Sequence, residues 1–417
     1  MNPARQRSFP RGYGVIWTTV AIDLIGFGIV APILPLYAER FGASGLTIGL
    51  LFASFSVAQF VCSPLLGRLS DRIGRKPVIL LSLFGTAVGS LITGAAGSLF
   101  FVFVGRILDG ASGASVSVAQ GAVADVASPA DRARLLGMLS AAFGVGFVIG
   151  PAIGSLAALS GPHVPFYVAG VIALVNGVVA IFRLPETRPA AVDSDATDRD
   201  AVDRAATDRD AADVSRRRAR SPRGPHAAAL VRLAVVGFLV TCAFSGFEAT
   251  FSLFADRRFG LTEASVAAVF VGIGVLLVLV QGGGVGQVTK RLGVTRTVQT
   301  AIVMNALGMV LLASATTWPV LVPALALLSI GQGLAVPSIT AMVVEWAPVD
   351  RRGESLGFQQ SASALARIGG PALGGVLFDR AGVPWPYVVG AVLLGLAFAV
   401  LAGGGRLGVD AAPAELP

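Results

Sequence analysis

Hydrophobic residues in this chain come in long unbroken runs, neither alternating like a half-buried strand nor striped like a surface helix. A bilayer's hydrocarbon core asks for roughly 20 apolar residues per helix. Runs near that length occur at 14–37, 46–66, 78–96, 99–123, 135–159 and 166–184, then at 230–254, 264–288, 297–316, 320–344, 355–378 and 385–401. They are numbered here as spans 1 to 12. The pattern predicts an all-α integral membrane protein with twelve transmembrane helices in two six-helix bundles. Residues 14–188 would form the first bundle and 229–405 the second, with short cytoplasmic tails at 1–13 and 406–417. The first run contains Asp23, Pro32 and Pro35 and has no cleavage site behind it, so it reads as a retained helix rather than a signal peptide.

The 189–228 segment between the halves differs from everything around it. ATDRDA occurs at 196 and again at 206, followed by Arg216, Arg217, Arg218, Arg220 and Arg223, with almost no large apolar residue. Such a composition cannot bury enough surface to fold and predicts a disordered tether.

Composition agrees with a lipid-facing chain. Of the 417 residues 54% are hydrophobic and 13% charged, about half the charged fraction of a soluble domain. The net charge of +8 does not point to nucleic acid, because the bases sit between apolar runs rather than on a solvated face. They act as topology signals. Placing both termini in the cytoplasm leaves only Arg40, Arg257, Arg258 and Arg380 outside, so the positive-inside rule orients the chain that way, in the cell's inner (plasma) membrane. Cys62 and Cys242 lie in apolar runs and His163 and His226 in expected loops, which predicts no disulfide and no metal site. No Gly-rich nucleotide loop and no paired catalytic carboxylates are present, so an enzyme or ATP-driven pump is not expected.

The two halves repeat. Gly67-Arg-Leu-Ser-Asp71-Arg72-Ile-Gly74 after span 2 corresponds to Gly286-Gln-Val-Thr-Lys290-Arg291-Leu-Gly293 after span 8, and Pro129-Ala-Asp131-Arg132 corresponds to Pro348-Val-Asp350-Arg351. Gly150-Pro151-Ala-Ile-Gly154 corresponds to Gly370-Pro371-Ala-Leu-Gly374. Two parallel repeats related by an axis along the membrane normal describe a transporter with its site between them near the midplane.

These motifs carry a family resemblance. Gly67-Arg68-Leu-Ser-Asp71-Arg72-Ile-Gly74-Arg75-Lys76 resembles the signature loop of the major facilitator superfamily. Asp23-Leu-Ile-Gly26-Phe-Gly-Ile-Val-Ala-Pro32-Ile-Leu-Pro35 resembles the first-helix motif of its drug:proton antiporters, including tetracycline exporters. Gly146-Phe-Val-Ile-Gly150-Pro151-Ala-Ile-Gly154-Ser155 resembles their fifth-helix motif, with Ser155 where that motif has a second glycine. The resemblance implies a conformational latch of Gly67, Asp71, Arg72, Gly74, Arg75 and Lys76 with Asp125, in which Asp71 engages the start of span 11 near Ser355. It also implies that Arg106, in Arg106-Ile-Leu-Asp109-Gly110, is tied to proton movement.

The residues add their own argument. Small residues four apart in spans 5 and 11 (Gly146, Gly150, Gly154 with Pro151; Gly370, Gly374 with Pro371) allow close helix packing. Asp23, Arg106, Asp109, Glu248 and Arg367 lie well inside spans, where a charge costs about 2.5–3.5 kcal/mol, so they should face an interior cavity. Arg106 and Asp109 share a helix face and can pair. Their repeat positions are Leu325 and Leu328, which places proton coupling in the first half, at Asp23, Arg106 and Asp109. Expected cavity residues are Gln120, Asn176, Glu248, Gln281, Gln332, Gln359 and Arg367, with Asn305 and Gln360 as further polar candidates and Phe143, Phe147, Phe244 and Phe247 as aromatic ones. The expected activity is monomeric, cofactor-free, proton-driven export of a small amphipathic compound. Import of a sugar or organic anion and a non-transporting sensor are the alternatives.

Overall fold

The structure, a computed structural model, describes residues 10, 12–127, 131–187, 225–348 and 352–403. Most of the expected tether (189–224), most of both tails, Pro129 and 349–351 of the repeated loops lie outside the described residues. Among those described, the secondary structure is helical. The first half contains α1 (Tyr13–Val30), α2 (Leu34–Glu39), α3 (Gly45–Ile73), α4 (Arg75–Gly94), α5 (Leu99–Ser112), α6 (Ser115–Val126), α7 (Arg132–Ala158) and α8 (Val164–Arg183). The second contains α9 (Pro225–Phe259), α10 (Glu263–Leu279), α11 (Val285–Leu292), α12 (Val294–Ser314), α13 (Trp318–Trp346), α14 (Arg352–Arg380) and α15 (Trp385–Ala402). Among the described residues, ten stretches are long and apolar enough to cross a membrane. Helix α7 adds a shorter apolar stretch, Ala142–Ala158, and the 29-residue α14 carries Gln359, Gln360 and Arg367 along its length.

Three apolar runs are not single straight helices. The first is interrupted by a turn at residues 31–33 before α2 begins, because Pro32 lacks an N–H and crowds the preceding turn. Span 4 breaks between α5 and α6 at Gly113, whose carbonyl accepts a hydrogen bond from Gln59 Nε2 at 3.0 Å. Span 8 passes through one π-helical turn, Val280–Gly284, between α10 and α11. Three consecutive glycines there give the backbone the conformational freedom to leave the α-helical ladder. Helix α9 starts at Pro225, so His226 is helical rather than in a loop, and the expected 228/229 boundary falls inside the helix.

The backbone shows the duplication independently of the motifs. Positive-φ glycines come in matched positions: Gly42 with Gly260, Gly74 with Gly293, and Gly161 with Gly382. The helices that follow the first pair are capped alike, by Ser44 on the Thr47 N–H and by Thr262 on the Ser265 N–H.

Small residues set the packing inside each half. A Cβ on Gly28 of α1 would overlap the Gly146 carbonyl of α7, and one on Gly150 would lie 2.6 Å from the Gly28 Cα. In the second half, Gly370 of α14 packs on the Cys242 carbonyl of α9 and Gly374 on Gly246. The two halves meet by the same device, with Gly49 of α3 against the Pro371 carbonyl of α14 and Gly274 of α10 against the Phe147 carbonyl of α7.

Candidate functional site

One end of the molecule is sealed by contacts between the halves. Arg40 donates to Glu263 at 2.7 Å, and Arg257 donates to Glu39 at 3.2 Å. The Asp379 carboxylate at the end of α14 accepts from the Gly45 and Leu46 N–H groups at 2.7 and 2.8 Å. It therefore caps the N-terminus of α3 in the other half, where free N–H groups and the helix dipole favour an anion. Deeper in, Ser252 Oγ donates to the Pro32 carbonyl and Ser155 Oγ to the Ala264 carbonyl, each at 2.7 Å. Ser155, the departure from the fifth-helix motif, thus makes a bond between halves. Its repeat counterpart Gly375 packs directly on the Gly45 carbonyl.

Beneath this seal lie the intramembrane charges. Arg106 is 2% exposed and donates to Asp109 Oδ2 at 2.8 Å. Its guanidinium lies 4.3 Å from the centre of the Phe55 ring, and its Nε has no hydrogen-bond partner. Phe55 meets Phe27, which meets Phe147, so spans 1, 2 and 5 line this region with aromatic faces. Asp23 is half-buried and accepts from the Ser115 hydroxyl at the start of α6, just past the break in span 4. Asp109 is within electrostatic reach of Asp23.

Glu248 and Arg367 approach from the second half. Each stands one helical turn below a contact of the seal: Glu248 four residues before Ser252, Arg367 four residues before Pro371. Residues i and i+4 share a helix face, so the Glu248 side chain lies on the face of α9 that carries the Ser252 contact to the first half. Glu248 lies within electrostatic reach of Arg367 and Arg106. Its Oε1 is buried without a hydrogen-bond partner. Arg367 is exposed despite its mid-helix position.

The motif loop lies at the opposite end. Arg75 bonds Asp71 at 2.6 Å and Asp125 at 2.9 Å, and donates to Ser70 Oγ. Asp71 is 61% exposed and its recorded partner is Arg75, while the side chains of 352–354 at the start of α14 lie outside the described residues. Arg72 and Lys76 lie at the same surface, and Gly67 has open space around it. An acid not anticipated from the sequence completes the cluster. Glu186, after span 6, accepts from the Arg75 and Lys76 N–H groups at 2.9 and 3.1 Å, capping α4. Gly74 has φ 107, and a Cβ there would overlap the Glu186 carboxylate, so glycine serves both the turn and the approach of the acid.

The uncharged candidates separate. Gln359 is 8% exposed with Oε1 unpartnered, and Gln332 Oε1 is likewise buried and unpartnered. Gln281 is exposed on the π turn, and Gln120 is exposed on α6. Asn176 is buried with its amide committed to the Thr19 carbonyl at 2.9 Å, so the structure places it in the packing of α8 on α1 rather than in the cleft. Asn305 is 2% exposed and lies against Gly331, between α12 and α13. Phe247 is packed against Phe244 and Phe251 within the second half, and Phe143 is exposed. Among the described residues no group of three or more His, Cys, Asp or Glu side chains is arranged to hold a metal.

An all-helical, two-half membrane protein with its charges collected under one sealed end has the architecture of a secondary transporter. The sequence profile of the Major Facilitator Superfamily matches residues 16–298 and 284–407, and the chain belongs to that family. It is 31% identical over 385 residues to the class C tetracycline resistance protein of Escherichia coli, covering 91% of this chain and 93% of that protein. It is 27% identical over 366 residues to multidrug resistance protein 2 of Bacillus subtilis (strain 168), covering 88% of each. Among solved structures, the human organic anion transporter MFSD10 (TETRAN) superposes with a TM-score of 0.67 at 26% identity, over 96% of this chain and 100% of that one. The protein is a multi-pass membrane transporter.

Proposed function

We propose that this chain is a proton-coupled exporter of small amphipathic organic molecules, working by alternating access in the plasma membrane as a monomer of twelve spans. The observation that carries the reading is the set of charges held across the two halves beneath a single closed end: Asp23, Asp109 and Arg106 from the first half, Glu248 and Arg367 from the second. Intramembrane charges are expensive and are kept where they serve a pathway or a proton relay. Relatives described as tetracycline and multidrug resistance proteins support export.

With the positive-inside orientation, both termini and the motif loop are cytoplasmic. The seal of Arg40, Glu263, Glu39, Arg257 and Asp379 then closes the outer end, the closure that an inward-facing state of the cycle requires. In the working cycle Asp23 releases its proton to the cytoplasm and receives another from outside, while the Arg106–Asp109 pair senses the change one helix away. About 2.3 kcal/mol per charge is available from each 100 mV of membrane potential. No cofactor is called for; the proton gradient supplies the energy. The segment 189–224 links the two bundles.

The test is a growth-inhibition panel of amphipathic compounds in an efflux-deficient host. Wild type should raise tolerance to at least one compound, and Asp23→Asn should abolish that gain at equal membrane abundance. Uniform susceptibility across the panel, with uptake of labelled organic anion driven by an inward proton gradient, would instead establish import.

A further inference from the structure

The cleft contains an unfinished charge pairing. Arg106 is matched by Asp109 at 2.8 Å, which leaves Glu248 and Arg367 as an acid and a base of the second half, with Glu248 within electrostatic reach of Arg106 across the halves. They interact electrostatically, yet no ion pair within 4.0 Å forms between these two described residues. The Glu248 Oε1 atom is buried and accepts no hydrogen bond. Leaving a buried carboxylate oxygen unpaired costs free energy that a bound group can recover. Arg106, within electrostatic reach of Glu248 and with its Nε buried and unpartnered, stacks on the Phe55 ring at 4.3 Å, and Phe55 leads through Phe27 to Phe147.

From this arrangement we infer that the transported class is zwitterionic and aromatic, with the substrate's cationic group on Glu248 and its anionic group on Arg367. The inference rests on the transporter reading above and refines it to a substrate chemistry. Its physical basis is mismatch. A simple cation that satisfies Glu248 brings like charge towards Arg367, and a simple anion that satisfies Arg367 brings like charge towards Glu248. A molecule carrying both charges leaves neither side chain unpaired, while its aromatic skeleton packs on the phenylalanines of spans 1, 2 and 5.

Three dyes on one xanthene skeleton isolate charge from shape. Rhodamine 110 has an anionic carboxylate and a cationic ring system, rhodamine 123 is its methyl ester and a cation, and fluorescein is an anion. Fluorescence anisotropy with detergent-purified full-length protein measures binding directly. A protein that binds but does not export therefore sinks the export reading and leaves this one standing. Wild type should bind rhodamine 110 at least about tenfold more tightly than either other dye. Glu248→Gln should lose that preference in favour of fluorescein, and Arg367→Gln in favour of rhodamine 123. Each variant is expected to gain a ligand, so misfolding cannot imitate the result. Wild-type preference for rhodamine 123 or fluorescein, no binding of rhodamine 110, or an unchanged order of the dyes in both variants would overturn the assignment.

Discussion

Single residues in this protein are constrained mainly by what lies directly against them. Gly28 and Gly150 bring the backbones of α1 and α7 into contact, and the Cβ that any other residue would add at Gly28 overlaps the Gly146 carbonyl. Gly28→Val is expected to lower stability by about 1–3 kcal/mol, the usual cost of overpacking, read as an earlier melting temperature in detergent. At the motif loop, Glu186→Gln keeps the shape but removes the charge from the N-terminus of α4. Loss of an anion at a helix N-terminus costs about 0.3–1 kcal/mol, so the same assay should show a smaller shift than for Gly28→Val. The residue scale also shows where sequence reading stopped. The three-residue spacing of Arg106 and Asp109 foreshadows their pairing, because contacts within one helix follow from its period. Glu186 gave no such signal, since it meets Arg75 from 111 positions away. Asn176 looked like a cavity residue because a polar side chain in an apolar run has to satisfy its donors somewhere, and only packing placed the Thr19 carbonyl beside it.

Among elements, the ends of helices decide how the halves engage. Asp379 holds the N-terminus of α3 from the opposite half at the sealed end, whereas Asp71 at the other end pairs with Arg75 of its own loop. These two carboxylates should bias the transporter in opposite directions. Hydrogen bonds to a charged group contribute about 1.5–3 kcal/mol, and 1.4 kcal/mol changes a population ratio tenfold. With spin labels at Phe41 and Leu261, one on each side of the seal, Asp379→Asn should increase the population with a long interlabel distance. Asp71→Asn should leave the short distance dominant and abolish transport while the protein still inserts in the membrane. Full transport by Asp71→Asn would end the latch reading. The breaks in spans 1, 4 and 8 belong to this scale as well. Pro32, Gly113 and the glycines at 282–284 were visible as residues, but a proline or glycine only permits a break. Whether the helix restarts, kinks or takes a π turn depends on the groups that satisfy its freed carbonyls, such as Gln59 on Gly113.

At the scale of the whole molecule the governing fact is duplication. Glu39 and Arg257 sit at corresponding places in the two halves, three residues before the positive-φ glycines Gly42 and Gly260. They carry opposite charge and pair at 3.2 Å, as expected of equivalent positions that face each other across a pseudo-twofold axis. Reversing the pair tests that symmetry. Glu39→Arg alone sets like charges together and should reduce transport several-fold, while Glu39→Arg with Arg257→Glu should restore most of it. An exposed pair contributes at most about 1 kcal/mol, so complete loss in the single variant is not expected. The apolar runs, the repeated loops and the signature motif were enough to determine an all-helical membrane protein of two related halves, because hydropathy and motif spacing act between neighbours in the chain. The seal, the cap on α3 and the approach of Glu248 to Arg106 join residues as far apart as 334 positions. No local rule specifies such meetings, and the packing of glycine on backbone between the halves decided them.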